Sequence, residues 1–519
     1  MADLFSLETG GNGVLSTSHG TGGNATLDTG DLRRKYNFGD RVSELAIAQD
    51  PFFRFVSKVA KKSTDDPQFK FTERRPSYHK RYAYVIGFND GSDVVNDAEL
   101  ESAAGTDVDA AAVGDSFKLY MATDYMKAGN IQNVYGQSGN AVRVGATGTE
   151  PAFFVPGQVV KVNLTSTAQG GSSVTSYALF QITTVGAETT LSTTSYDMST
   201  GAADASGASA KACRLITCKL VKVPASSGEL CGYRSDAHID VVHGQEISSV
   251  LEPARAYVVG SSHSQGSGYP ETWKDNPFSV GFGNTQIWKT AMAMDNTTRA
   301  TIQKYEPNEW ARIWREKLIE HKWDIEQSLL YGSPSTSQDE WYTQGAIDYI
   351  SSYGNVFSLT IGSKTQDDFL DDLSKFLDPR YNNANATLFF VNTAVFNWLH
   401  KLSGYFQNNL EISPNFRADM SLTGKKKVFG VDITTISTPF GDMNVSRNIH
   451  LDGSSIKILA CNMRYCAYRP LVGNGLNRDT AIYVGVQTLE NSGVDRRVDL
   501  IQTEAGMEWQ MPEAHAYWS

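Results

Sequence analysis

Few residues that could do chemistry stand close enough together in this sequence to do it. His238 and His243, with Glu246, form the one cluster of imidazole and carboxylate groups. A metal or acid–base site there would need a third group at a fixed distance, and the sequence supplies none; polar loop residues are the stronger reading. Asp367, Asp368, Asp371 and Asp372 have the composition of a cation site. On a helix they spread around the polar side near the positive end of the dipole, where solvated capping accounts for them. Arg33, Arg34 and Lys35 could meet phosphate, but three charges grip it weakly. A solvated face or a subunit contact is the better expectation.

Sequence motifs for catalysis are missing as well. The Gly424-Lys425 step lacks the upstream glycine and the following hydroxyl of a phosphate-binding loop. Gly281-Phe282-Gly283 stops short of a dinucleotide fingerprint, and no H-E-x-x-H, G-x-S-x-G or EF-hand loop occurs. The expectation is therefore no catalytic residue, no cofactor-binding residue and no metal ligand, hence not an enzyme. Five cysteines lie at 213, 218, 231, 461 and 466, and the two close pairs have four residues between them and no histidine nearby. That spacing is unlike structural zinc, and buried free thiols in a reducing cytoplasm are expected.

The elements that would position any site come from patterning. At 519 residues the chain is long enough for several domains. Its 45 glycines, with long Gly/Ser/Thr stretches, suit a strand-rich chain with many turns. The 9 Trp, 23 Tyr and 24 Phe supply too much apolar area for a disordered chain. A net charge of −11 argues against a surface built to grip nucleic acid, and fits solubility or a wall lying beside it. No apolar run approaches the ~20 residues of a membrane helix. No signal peptide is visible, so folding in a cytoplasm is expected.

Residues 1–31 lack periodicity and read as an extended arm. Pro51, with Phe52, Phe55, Val56 and Val59 at helical spacing, predicts a short helix. Alternation from Phe69 through Tyr78, Tyr82, Tyr84 and Ile86 opens a β region of short strands and small-residue loops, including a loop over Ser199–Ala212. Thr285–Met294 reads as a returning strand. The clearest element is a helix over 307–331, with Pro307 in its first turn and Gly332 then Pro334 ending it. Trp310, Ile313, Trp314, Leu318, Ile325 and Leu329 form one apolar stripe, the expected core of this helix, while Arg312 with Glu316 and Lys322 with Glu326 are spaced as ion pairs. A second helix over about 366–377, capped by Thr365, precedes a buried strand at Thr387–Val391 and a short helix from Thr393 to Leu402. This order predicts a compact α/β domain over about 335–450. The tail returns to strands, with Met507, Trp509 and Met511 alternating with Glu508 and Gln510.

The stretch EPNEWARIWREKLIEHKWDIEQSLLYGSPS…TQGAIDYI, residues 306–350, resembles the major capsid proteins of tailed bacteriophages with the Hong Kong 97-type fold. In that family a long spine helix ends in an acid-to-glycine signature, here Glu326 to Gly332, followed by a Gly-apolar segment, here Gly345-Ala346-Ile347. DPFFRFVSKVAKK with FKFTERRP, the block from Tyr257 to Thr290, the block from Thr365 to Leu399, and GMEWQMPEAHAYW with its Glu513-Ala514-His515-Ala516 string resemble other family segments in matching order.

The resemblance implies an α+β subunit with an N-terminal arm, an E-loop, a peripheral domain carrying the spine helix, and an axial domain. Mapped onto this chain, it gives an arm over 1–50, the start of the peripheral domain over 51–68, and an E-loop over 69–294. A β-rich domain at about 88–255 would be inserted in that loop. The peripheral domain with its helix would follow at 295–334, the axial domain at 335–450, and return strands of both at 451–519. It implies self-assembly into hexamers and pentamers of an icosahedral head around double-stranded DNA, assembled in a host bacterial cytoplasm and residing in the virion. Expected partners are copies of itself, portal and scaffolding proteins, a decoration or cement protein, and packaged DNA by non-specific proximity, with no membrane. A bacterial encapsulin-type nanocompartment shell is the first alternative and a β-rich tail or surface-binding protein the second. A hydrolase would need a clustered site that the sequence lacks.

Overall fold

The computed structural model describes most of residues 50–519. Outside the described residues lie 1–49, 124–144, 192–210, 232–254, 271–277 and 408–420, and stretches of six residues or fewer, 76–80 and 303–307 among them. The expected arm, Arg33, Arg34, Lys35, Pro307, His238, His243 and Glu246 therefore fall outside them. Three apolar clusters organise the remainder.

The first cluster fills a closed barrel. Six strands, Tyr82–Asn89, Ser116–Ala122, Lys211–Lys222, Ser176–Leu191, Gln158–Thr165 and Arg255–Ser261, pair antiparallel in that order, and the last returns to the first through Tyr82↔Tyr257. Alternation places Phe117, Leu164, Phe180, Ile216, Cys218 and Leu220 inside, where side chains fill a barrel this small. Closure removes the free edges that open strands would present. None of this cluster's residues belongs to the other two.

The second cluster lies beneath a five-stranded antiparallel sheet. Gln68–Glu73 pairs with the near half of the 17-residue strand Ser279–Asp295, whose far half pairs with Arg496–Trp509. Cys466–Pro470 and Ala481–Gln487 flank opposite ends of Arg496–Trp509. The helix Glu309–Tyr331 lies against this sheet. Asn308 caps it by accepting from the Ala311 N–H at 3.1 Å. It ends at Gly332, where a Cβ would stand 2.4 Å from the Ser328 carbonyl oxygen and 2.8 Å from that of Thr343. The helix Pro51–Val59 begins with proline at its first turn and buries Phe52, Phe55 and Val56 against the same core.

The third cluster sits under a seven-stranded mixed sheet. Its order is Asn355–Phe357, Ala516–Trp518, Ile458–Asn462, Thr387–Val391, Gly441–Arg447, Val431–Thr438, Ser421–Val428. Thr387–Val391 and Ile458–Asn462 are buried along their whole length, as their continuous apolar sequences require. The helix Gln366–Phe376 starts with a reciprocal cap between Thr365 and Asp368 and lays Phe369, Leu373 and Phe376 on the sheet. Trp518 is fully buried among Phe357, Phe369, Phe376 and Phe389, and its indole N–H donates to Asp372 at 3.1 Å.

Several sequence expectations need correction. The apolar stripe of the long helix divides: Ile325 and Leu329 are buried, whereas Trp310, Ile313, Trp314 and Leu318 are half-buried. The N-terminal half runs along the outer end of the sheet, where Trp310 is held between the Arg299 and Arg497 guanidinium groups and, among the described residues, stays half-exposed. Glu326 does not pair with Lys322 on the surface but is fully buried. Val59 is exposed, because the helix Pro51–Val59 ends as it leaves the core. Glu508 is buried although it alternates with Met507 and Trp509, since both faces of that strand are covered and Arg469 stands 3.1 Å from its carboxylate. Residues 199–210 of the expected loop lie outside the described residues, while Lys211 and Ala212 already belong to a strand.

Candidate functional site

Among the described candidates for chemistry, Asp368 and Asp372 are engaged in structural contacts. Asp368 is taken up by its cap: its carboxylate accepts from the Thr365 N–H at 3.0 Å and hydroxyl at 2.8 Å, which holds it below the usual carboxylate range. Asp372 pairs with Lys364 and accepts from Trp518. With Asp371 and Lys375 they line an open cleft of about 420 Å³. Among the described residues no three His, Cys, Asp or Glu side chains come together as a metal site. All five cysteines are free and buried, and burial pushes their thiols up, away from the reactive thiolate.

What the fold concentrates instead is polar bracing inside its junctions. Glu326, on the long helix, accepts from the backbone N–H of Phe52 at 3.2 Å and of Phe53 at 2.6 Å, and from the Asn448 side chain at 2.8 Å. Burial pushes its carboxyl up to about 7, against the lowering effect of these three donors. One carboxylate thereby caps the helix Pro51–Val59, anchors the long helix and holds the turn at Asn448. Sequence reading missed this role because Lys322 lies one turn earlier; the contrary signal was Leu330, one turn later and fully buried on the same line.

A second junction lies one turn beyond. The Gly345 N–H donates to the Gly332 carbonyl at 2.8 Å, and a Cβ on Gly345 would meet backbone atoms of Gly332 and Leu330 at 2.6–2.9 Å. The adjoining Thr343 hydroxyl accepts from Met507 N at 2.9 Å, and the Gln344 carbonyl accepts from the Trp509 indole at 3.0 Å. The helix exit is thus strapped to the sheet by backbone contact that any side chain would break.

A third brace joins the strand pair leading to the barrel with the end of the chain. Arg75 is buried and donates to both carboxylate oxygens of Glu513, at 2.7 and 3.0 Å, and to Glu73 at 3.0 Å. Glu73 in turn accepts from Met511 N at 2.9 Å. His515, fully buried beside them, accepts from Asn462 N and bonds the Gln510 carbonyl at 3.0 Å; burial depresses it to about 4. Both neutral contacts fit an imidazole protonated on Nε2.

The outer surface is apolar in unusual places. Phe278, Val280 and Phe282 stand 62–66% exposed along one face of the strand pair below the barrel. Such a strip marks a surface made to be covered. Internal braces and exposed apolar ribbons are what the described residues offer in place of a clustered site.

Comparison with known proteins agrees with that character. The family model described as SU10 major capsid protein matches residues 22–518. A search of curated proteins finds no match. Among solved structures, the chain is similar to one from Microbacterium phage Oxtober96 at 12% identity and a TM-score of 0.34, covering 50% of this chain and 80% of that one. It is similar to one from Gordonia phage Cozz at 10% identity and 0.32, covering 50% and 78%. A third is the holo-SrpI encapsulin complex from Synechococcus elongatus PCC 7942, at 11% and 0.33, covering 47% and 77%. The assignment rests on the family model alone: the chain belongs to the SU10 major capsid protein family, a family of bacteriophage structural proteins.

Proposed function

We propose that this chain, as a member of that major capsid protein family, assembles with copies of itself into hexamers and pentamers of a closed icosahedral head around double-stranded DNA. The observation that carries the reading is the family match, which runs from residue 22 to residue 518. On this reading the five-stranded sheet with its long helix is the peripheral domain, and the seven-stranded sheet is the axial domain. The pair Gln68–Glu73 and Ser279–Asp295 is the stem of the E-loop, with the barrel inserted at its tip. Portal, scaffolding and decoration proteins would be partners, and the virion its place after assembly in the host cytoplasm. The acidic balance of −11 suits a wall that confines DNA without adhering to it. The subunit has no catalytic task here.

The test is electron microscopy and light scattering of the purified protein, alone and co-expressed with a scaffold. Closed shells of uniform size are expected. A monodisperse monomer at every concentration and salt, scaffold included, would count decisively against the proposal. Shells filled with an enzyme in place of DNA would favour a nanocompartment.

A further inference from the structure

The barrel keeps its two signs of charge apart. Its strand residues 116–122, 158–165, 176–183, 216–222 and 255–261 hold five basic side chains and no Asp or Glu, in a chain whose net charge is −11. Lys118, Lys161 and Lys219 alternate with the core residues Phe117, Val162 and Cys218, so they point outward. Lys161 and Lys222 stand in register on either side of Leu179, and both converge on Tyr177. Lys222 donates to the Tyr177 hydroxyl at 2.6 Å and lies 4.2 Å from the ring centre, while Lys161 lies 4.4 Å from it. The hydrogen bond and charge of Lys222, with the charge of Lys161, hold this phenol below its usual range.

The opposite charge is gathered on one loop. Residues 99–109 hold Glu99, Glu101, Asp107 and Asp109, with no Lys or Arg among them. The loop is clamped to the barrel: Leu100 and Val108 are sealed into its core, and the Ala103 N–H donates to the Ser116 carbonyl at 2.8 Å. Its turn is fixed by the Ser102 hydroxyl, which accepts from Ala104 N at 3.3 Å and Thr106 N at 3.1 Å. Burial and the carboxylates of Asp107, Asp109, Glu229 and Glu101 hold Glu99 above the usual range, so these groups repel one another. Among the described residues, neither the four acids of this loop nor Lys118, Lys161, Lys219 and Lys222 have an ion-pair partner.

We infer that the lysine face of one copy's barrel docks on the 99–109 loop of the next copy's barrel. Charge complementarity names the occupant. Like charges held together by the backbone repel, and a partner of opposite sign offsets that repulsion. Within one chain the two surfaces cannot meet, since the loop is clamped to the same barrel whose strands carry the lysines. A second copy presents both surfaces at once, so a single contact repeats from copy to copy. Such a contact is heterologous, and a ring of copies closes it. Each exposed pair contributes little alone; several together select the partner and fix its orientation. The inference deepens the shell reading and rests on it: it names one surface through which subunits meet.

Carbodiimide coupling tests the contact in the unaltered full chain, because it joins an ammonium to a carboxylate only where the two already touch. Shells assembled from equal parts of ordinary and heavy-isotope-labelled chain should yield peptides that link Lys161, Lys219 or Lys222 to Glu99, Glu101, Asp107 or Asp109. Mass spectrometry should find ordinary and labelled chain joined in one product. Intact shells with no such link, or with links confined to one label, would overturn the contact and leave the shell function standing. In parallel, Lys161→Glu with Lys222→Glu, and Asp107→Lys with Asp109→Lys, should each lose shells while keeping the melting midpoint. The chain carrying all four substitutions should regain them. Normal shells from either pair, or no recovery in a combined chain that melts as the unaltered one does, would overturn the contact too. If the unaltered chain forms no shell, the proposed function fails and this contact falls with it.

Discussion

Glu326 accepts the backbone N–H of Phe53 at 2.6 Å across 273 positions of sequence. A helix normally finds the partner for its first free N–H groups in the residue just before it. Here Asp50 occupies that position but makes no cap with its side chain, pairing with Arg54 at 2.5 Å instead. The cap is supplied by the long helix, so the segment that enters the fold at Pro51 is held by the element that braces the fold. The carboxylate is fully buried, and its proton affinity therefore couples to stability.

The pH dependence of that coupling has a definite sign. The folded value, about 7, lies above the ordinary 4.5. The folded state thus binds the proton more tightly, and this contribution is fully present below pH 4.5 and lost as pH rises through 7. At 1.36 kcal/mol per unit the change is roughly 3 kcal/mol, an order-of-magnitude figure. Glu326→Gln cannot titrate, so the stability advantage of the unaltered protein over this variant should shrink by about that amount between pH 4.5 and 8. Denaturant titrations at both ends check it, and a pH-independent difference would refute the buried-carboxyl account.

His515 works in the opposite direction. Its folded value, about 4, lies below the ordinary 6.5. Its contribution is present above pH 6.5 and lost as pH falls through 4, again by roughly 3 kcal/mol at most. Between 4.5 and 6.5 the slopes of Glu326 and His515 therefore oppose one another. His515→Gln should remove one of them, leaving stability that declines more steeply with rising pH than in the unaltered protein. Thermal melts from pH 4 to 7 give the comparison, and parallel curves for the two proteins would contradict it.

How much of this was legible beforehand depended on whether a signal was local. The helix Pro51–Val59, the Thr365 cap, the buried strand Thr387–Val391 and the end of the long helix at Gly332 follow from periodicity and punctuation, whereas its start lies two residues after the expected 307, with Asn308 as the cap. Barrel closure was not, because Tyr82↔Tyr257 joins strands at opposite ends of the segment and nothing in either names the other. Buried acids misled the reading for a similar reason. Glu326 and Glu508 resemble surface residues until their partners, Phe53 and Arg469, arrive from distant segments. The exposed apolar strip of Phe278, Val280 and Phe282 went unnoticed because alternation tells which residues share a face, and says nothing of which face meets the core.

Gly345 should tolerate no side chain. Its backbone angles suit alanine, so any effect of Gly345→Ala comes from the Cβ meeting Gly332 and Leu330 backbone atoms at 2.6–2.9 Å. Backbone cannot swing aside as a side chain can, and overpacking of this sort costs about 1–3 kcal/mol or more. Gly473→Ala is the control, since its nearest neighbour would be 3.5 Å away. A lowered melting midpoint is expected for the first substitution and none for the second.

The long helix offers the sharpest test of where the brace lies. Leu329 is fully buried among Phe52, Phe390 and Ile350, so Leu329→Ala should cost about 2–5 kcal/mol through lost transfer energy and the cavity left behind. Trp314, although larger, is half-buried and reaches Asp499 at a long 3.4 Å, so Trp314→Ala should cost less, about 1–2 kcal/mol. Lys322 is half-buried on the polar side of the helix, and Lys322→Ala should change stability by no more than ~0.5 kcal/mol. The order Leu329, Trp314, Lys322 follows from burial and not from side-chain size. Thermal melts of the three purified variants decide it. A larger loss at Trp314 than at Leu329 would mean that the N-terminal half of the helix, and not the junction at Glu326 and Gly332, carries the fold.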